Sequence, residues 1–88
     1  MEIEENEISY KIRGAIFSVY NNLGPGLLES AYEEALRIEL EKVGCNVRTQ
    51  VTIPMVYEGV TIPNAYRIDM LVDDKVIIEI KAATSRII

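Results

Sequence analysis

Residues 66–81 of this chain read YRIDMLVDDKVIIEIK, and this stretch decides the fold. Two apolar runs flank the polar triplet DDK, which predicts two strands joined by a tight connection. Asp69 lies in the first run, and Glu79 and Lys81 lie in the second. Charged side chains in such strands are costly to bury unless something pairs with them. Two acids and a lysine converging on one sheet face therefore predict a divalent-metal site with an ammonium beside it.

The length of the connection determines which side chains share a face, because side chains alternate along a strand and directly paired residues point the same way. A two-residue turn, Asp73-Asp74, would pair Asp69 with Ile78 and send Glu79 to the opposite face. A three-residue connection, residues 73–75, would pair Asp69 with Glu79. Two-residue loops are commoner, but only the odd-length loop or a bulge gathers the ionisable groups on one face, so we predict it. The other face would then be wholly apolar and suited to packing against a helix, with Ile68, Met70, Val72, Val76, Ile78 and Ile80.

Composition indicates a small globular domain. The chain has 88 residues and is 49% hydrophobic, so we expect one domain spanning residues 1–88. The acidic start lacks the basic region of a signal peptide, and no apolar run reaches membrane-spanning length. Cys45 stands alone, which fits a reducing compartment. We therefore expect a cytoplasmic protein with no membrane partner.

The residue inventory limits the chemistry. With no histidine and one cysteine, a zinc site is disfavoured and Ser-His or Cys-His nucleophile systems are excluded. Any metal must be held by oxygen ligands, which points to Mg²⁺ or Mn²⁺. The net charge of −5 and a pI of 4.6 argue against tight non-specific binding to nucleic acid. A local basic path is still available in the strand-rich half, at Arg48, Arg67, Lys81 and Arg86.

The hydrophobic pattern predicts two helices followed by about four strands. Apolar residues spaced three and four apart indicate helices over residues 5–23 and 27–43, separated by Gly24-Pro25-Gly26. The predicted apolar face of the second helix consists of Leu28, Ala31, Tyr32, Ala35, Leu36, Leu40 and Val43. Alternation then indicates a strand over residues 46–57, where Pro54 argues for an edge or a bulge. Glu58-Gly59 predicts a hairpin turn, and Pro63-Asn64 is expected to break the next strand before Asp69. The order indicates an α+β domain, with helices on one face of a mostly antiparallel four-stranded sheet.

The start of the second helix carries another pattern, Gly26-x-x-Glu29-x-x-Tyr32. Together with Tyr66-Arg67-Ile68-Asp69 and Glu79-x-Lys81, it resembles the GxxExxY protein family of the PD-(D/E)XK nuclease-like superfamily. The resemblance covers nearly the whole chain, and the order and separation of the motifs make it specific. It implies a restriction-endonuclease-like core and Mg²⁺-dependent hydrolysis of nucleic-acid phosphodiesters. Ile68 stands where the superfamily's name has proline, a departure that the family tolerates.

The resemblance also implies roles for individual residues. Asp69 and Glu79 match the metal-binding acids, and Lys81 matches the lysine that orients or activates the attacking water. Glu29 matches the accessory acid from the early helix and is a third candidate metal ligand. Hard carboxylate ligands suit Mg²⁺, and a nearby ammonium would stabilise developing charge. We expect the catalytic set to be Lys81, Glu29, Asp69 and Glu79.

Each of these residues also has a structural interpretation. Lys81 could form an ion pair with Glu79 at a strand end, and Glu29 could complement the dipole of the second helix. Tyr32 fits a core residue with a satisfied hydroxyl better than a catalytic group. Cys45 fits a small packing residue. Asp73 and Asp74 fit turn formers, and scattered tyrosines could stack bases, namely Tyr10, Tyr20, Tyr57 and Tyr66.

The end of the chain bears on function. The family usually continues with a further helix and strand, whereas this chain stops seven residues after Lys81. We expect an apolar sheet face left open in this way to promote homo-oligomerisation. The alternative function is therefore a catalytically inactive interaction or oligomerisation module. A third hypothesis, a component of a toxin–antitoxin or defence system, has no direct support in the residues.

Overall fold

The computed structural model describes residues 2–81, with side chains from residue 7 onward. Two helices precede one antiparallel sheet, whose strands lie in the order β1-β2-β3. The elements are α1 (Glu2–Leu23), α2 (Glu29–Lys42), β1 (Val47–Tyr57), β2 (Val60–Val72) and β3 (Val76–Ile78). The predicted α+β class is therefore confirmed, with three strands in this part of the chain.

The first helix follows the predicted spacing. Ile8, Ile12, Ala15 and Val19 recur at intervals of three and four, and all of them are buried. The helix starts at Glu2, earlier than the predicted residue 5, and acidic residues suit a helix N-terminus. This apolar stripe is the helical half of the core.

The second helix is shorter at both ends than the predicted range of residues 27–43. Leu28 is its N-cap, has an extended backbone (φ −68°, ψ 153°) and is 78% exposed. Val43, the C-cap residue, is 49% exposed. Placing both on the apolar face was wrong, because each lies where the helical backbone ends. Leu36 and Leu40, in the middle, are buried as predicted.

The hairpin between β2 and β3 has the predicted three-residue connection, residues 73–75. Its ladder joins Val72 with Val76, Leu71 with Ile77 and Met70 with Ile78. Asp73 and Asp74 adopt left-handed φ values of 53° and 55°, which aspartate tolerates better than most residues. The same register, continued by one residue, sets Glu79 opposite Asp69.

The prediction of four strands was wrong, because Pro63 does not end a strand. Residues 60–62 and 66–72 belong to the same strand, β2. The register shifts between Ile53 and Met55, so that residues 63–65 of β2 face Pro54 alone. Both prolines thus lie in an irregular stretch, where a missing N–H need not break the ladder on either side. The expectation of a bulge or edge at Pro54 is confirmed.

The core lies between the helices and one face of the sheet. Met70 and Val72 are completely buried, while Val76, Ile78 and Ile80 pack against them from the third strand and beyond. This confirms the predicted apolar face. Beyond the register shift, the two-stranded arm around the Glu58-Gly59 turn is solvent-exposed along its length. Within residues 2–81, neither helix combines the length and apolar character needed to cross a bilayer.

Candidate active site

Asp69 connects the middle strand to the segment that carries the other candidate residues. The third strand ends at Ile78, so the backbone ladder stops before Glu79. There the Ile80 N–H donates to Asp69 Oδ2 over 2.8 Å, in a partly buried position. A side-chain hydrogen bond thus replaces the next ladder contact. Because Glu79 and Lys81 flank Ile80 in sequence, this bond keeps their backbone next to the Asp69 side chain.

A cleft opens where α1, α2 and the end of the third strand meet. Its volume is about 320 Å³, and its walls are mostly apolar or aromatic. Glu79 and Lys81 are the charged residues of its lining, and both are exposed to solvent. The full lining consists of Ile16, Val19, Tyr20, Tyr32, Leu36, Ile78, Glu79, Ile80 and Lys81. The cleft therefore combines an apolar interior with one acid and one base, and Asp69 is not among its lining residues.

Tyr32 has a structural role in the motif that begins at Gly26. Its hydroxyl donates to the Gly24 carbonyl oxygen over 2.7 Å and accepts from the Leu27 N–H over 3.1 Å. Gly24 and Gly26 have φ values of 71° and 99°, a region that only glycine enters without strain. Tyr32 therefore fastens the turn between the two helices, which confirms the prediction of a satisfied hydroxyl.

Glu29 is the first residue of α2 and is exposed. Like Asp69, it is absent from the lining of the cleft, and its place in the first turn suits the helix dipole. Among the residues described, no three acidic or cysteine side chains are arranged to hold a metal ion. The structure therefore brings Asp69, Glu79 and Lys81 to one end of the sheet and does not gather Glu29 with the two acids.

The predicted basic path is partly occupied by turn acids. Arg48 Nη2 lies 2.9 Å from Asp74 Oδ1. Asp73 accepts the Asn46 N–H at its Oδ1 over 2.8 Å, and the Asp73 N–H donates to the Asn46 carbonyl oxygen over 2.7 Å. Both aspartates are therefore turn residues, as predicted. Arg67 is exposed, and Arg86 lies outside the described residues.

The structure also shows the surroundings of Cys45 and of the tyrosines considered for base stacking. Cys45 is buried in the core cluster, and its burial, with the nearby charge of Asp73, raises the pKa of its thiol. This confirms its packing role. Of the four tyrosines considered for base stacking, all are more than half exposed, and Tyr20 lines the cleft. Base stacking by these rings stays a prediction.

Sequence reasoning missed Gln50. This residue lies in β1 yet has a left-handed φ of 54°, and its Nε2 donates to Glu33 Oε1 over 3.0 Å. Glutamine is not a residue type that marks left-handed backbone, so the sequence carried no local signal for it.

A family model of the PD-(D/E)XK nuclease superfamily matches residues 6–87. The chain belongs to this superfamily. No curated protein and no solved structure gave a significant match. The matched range includes α2, all three strands and most of α1, and both Asp69 and Glu79 lie within it. Membership makes a nuclease-like function the first hypothesis to test.

PD-(D/E)XK nucleases usually use divalent metal ions, and the donor set here fits a small hard cation. Mg²⁺ is often bound by one or two carboxylates, with water and substrate phosphate supplying the other ligands. Asp69 has bonded one oxygen to Ile80, but a carboxylate has acceptor capacity beyond a single hydrogen bond. Asp69 and Glu79 are therefore the residues that would hold the ion. A three-acid set including Glu29 fits less well.

Proposed function

We propose that this chain is a GxxExxY-type member of the superfamily that hydrolyses nucleic-acid phosphodiester bonds with Mg²⁺ or Mn²⁺. The observation that carries the proposal is the hydrogen bond from the Ile80 N–H to Asp69. It keeps Asp69, Glu79 and Lys81 at one end of the sheet, beside an open cleft. These are the residue types that metal-assisted phosphate hydrolysis requires.

In this proposal, each side chain has a distinct task. Asp69 and Glu79 hold the cation, which when bound supplies charge stabilisation at the phosphate and a water of lowered pKa. The exposed Lys81 ammonium orients the attacking water and stabilises the negative charge that develops on the phosphate oxygens. Glu29, at the start of α2, is assigned no contact with the ion, because among the described residues it is not gathered with Asp69 and Glu79.

The direct test is the Lys81→Ala variant. We expect it to abolish cleavage of DNA and RNA substrates, single- and double-stranded, while Mn²⁺ affinity measured by calorimetry stays within about threefold of the wild type, because neither metal ligand is removed. Lys42→Ala is the matched control, since Lys42 pairs with Glu39 on the surface of α2. Equal loss of cleavage and metal binding in Lys81→Ala would contradict the assigned role.

A second candidate function is a homo-oligomerisation or interaction module, and the exposed arm favours it. Val56 and Val60 are 67% and 65% exposed, and Tyr57 beside them is 61% exposed. Within residues 2–81, β1 is an edge strand of the sheet, and an apolar two-stranded arm that continues it invites pairing with another chain. The net charge of −5 also disfavours nucleic acid as a partner.

Light scattering during size-exclusion chromatography tests this second function. A dimer that dissociates in Val56→Lys, without loss of helical signal, would support it. A monomer at all concentrations that cleaves nucleic acid would reject it.

A further inference from the structure

The residue facing Asp69 across the first pair of strands has an unusual backbone. Gln50 has a φ of 54° in the middle of β1. The ladder joins Thr49 with Met70 and Val51 with Ile68, but it passes over Gln50 and Asp69, which lie opposite each other. A non-glycine residue rarely adopts this conformation inside a strand. One of the two interruptions of this ladder therefore falls at the candidate metal ligand, and the other is the register shift at Pro54.

The side chain of Gln50 ties this position to the helical layer. Its Nε2 donates to Glu33 Oε1 over 3.0 Å, and Glu33 is half-buried in the middle of α2. A hydrogen bond to an ionised carboxylate is stronger than one between neutral groups. Strained backbone persists where the surroundings determine it, and such positions concentrate at functional sites. The hydrogen bond to Glu33 is solvent-exposed, and it is the contact through which we expect Gln50 to be held.

We propose that Gln50 is a positioning residue for Asp69 and that Glu33 acts through it. With no ladder pair to Gln50, the strand at Asp69 is not clamped to β1 at this point, and its carboxylate is bonded on the other side, to Ile80. Glu33 keeps the interruption in place by holding Gln50. The metal part of this inference rests on the proposed function, whereas the geometric part does not.

The test compares four variants of the full chain. Glu33→Ala removes the acceptor, and Glu33→Gln keeps an amide oxygen that can still accept from Gln50. Glu34→Ala is the matched control, because it removes a neighbouring charge that contacts Arg37 and not Gln50. Two quantities are measured for each: the hydrogen-exchange rate of the Ile80 amide and the affinity for Mn²⁺ followed by paramagnetic broadening.

We expect Glu33→Ala to speed exchange at Ile80 severalfold and to weaken Mn²⁺ binding by about tenfold or more, the loss typical when a group supporting a metal ligand is removed. Glu33→Gln and Glu34→Ala should stay close to the wild type in both quantities. Gln50→Gly should reproduce the Glu33→Ala changes without loss of global stability, since glycine adopts the same φ freely.

Unchanged Ile80 exchange in Glu33→Ala would overturn the inference. A uniform rise in exchange, including the buried Met70 amide, would also overturn it, because it would show general destabilisation. A wild-type chain that binds no Mn²⁺ near Asp69 would instead remove the proposed function. In that case the Ile80 exchange rates alone would still decide whether Gln50 positions Asp69.

Discussion

Replacing Tyr32 with phenylalanine should weaken the chain measurably, because one hydroxyl satisfies two backbone groups in the turn between the helices. The Gly24 carbonyl oxygen would lose a 2.7 Å donor, and the Leu27 N–H would lose a 3.1 Å acceptor. The ring would stay packed against the core, since Phe and Tyr differ only in the hydroxyl. The change therefore isolates the contribution of the hydroxyl.

The expected loss follows from the exposure of each bond. A net intramolecular hydrogen bond contributes about 0.5–1.5 kcal/mol. The bond from the Tyr32 hydroxyl to Gly24 is partly buried, while the bond from Leu27 is exposed. Water can replace the exposed partner at little cost. Most of the loss therefore comes from the Gly24 bond, and we expect a decrease of about 1–1.5 kcal/mol in the free energy of unfolding.

Urea denaturation followed by circular dichroism measures this loss. With a slope of about 1 kcal/mol/M for a small domain, the midpoint should fall by about 1 M. Tyr66→Phe is the matched control, because Tyr66 is 66% exposed, and it should change stability by less than about 0.5 kcal/mol. A Tyr32→Phe midpoint no lower than that of Tyr66→Phe would refute the argument that the hydroxyl fastens the turn.

Three further outcomes are expected. Asp69→Asn keeps an acceptor for the Ile80 N–H, so its urea midpoint should stay close to that of the wild type while calorimetric Mn²⁺ binding is lost. Gly14→Ala should raise the melting temperature by a few degrees, because a Cβ there meets nothing within 4 Å and alanine favours a helix interior by about 1 kcal/mol. The raised thiol pKa of Cys45 means that the unfolded chain ionises first, so stability is complete below the ordinary thiol pKa of about 8.5 and falls as pH rises through the higher folded value. Urea midpoints at neutral and alkaline pH should show this fall, and it should be smaller in Cys45→Ala.

The hairpin between β2 and β3 could be predicted because the number of residues in its loop, odd or even, decides which side chains share a face. Only an odd connection puts Asp69 and Glu79 on one face and leaves Met70 and Ile78 on the other, and the observed ladder has this register. The buried face of α1 could be predicted equally well, because its apolar residues repeat with the period of the helix. In both cases one regular pattern extends over many residues.

The remaining features depend on contacts that are distant in sequence. Pro63 suggests a strand end, but its effect depends on facing the bulge at Pro54. The left-handed backbone of Gln50 depends on Glu33, which lies in another element. For the site, adjacency of Glu79 and Lys81 to Asp69 followed from the hairpin. The position of Glu29 depends on the residue at which α2 begins. The local sequence pattern does not determine that residue to within one turn of helix.

The odd-length connection at residues 73–75 makes the face on which Glu79 lies independent of substitution there, within the limits of a left-handed backbone at Asp73 and Asp74, but sensitive to insertion or deletion of a single residue. Any substitution there leaves the count unchanged, whereas loss of Lys75 alone would turn Glu79 to the face that packs on the helices. Adding two residues would keep the number of loop residues odd, so Glu79 would stay on the same face as Asp69. Lengthening a loop by so little changes the closure entropy only slightly. Lengths at this loop should therefore vary among functional sequences in steps of two.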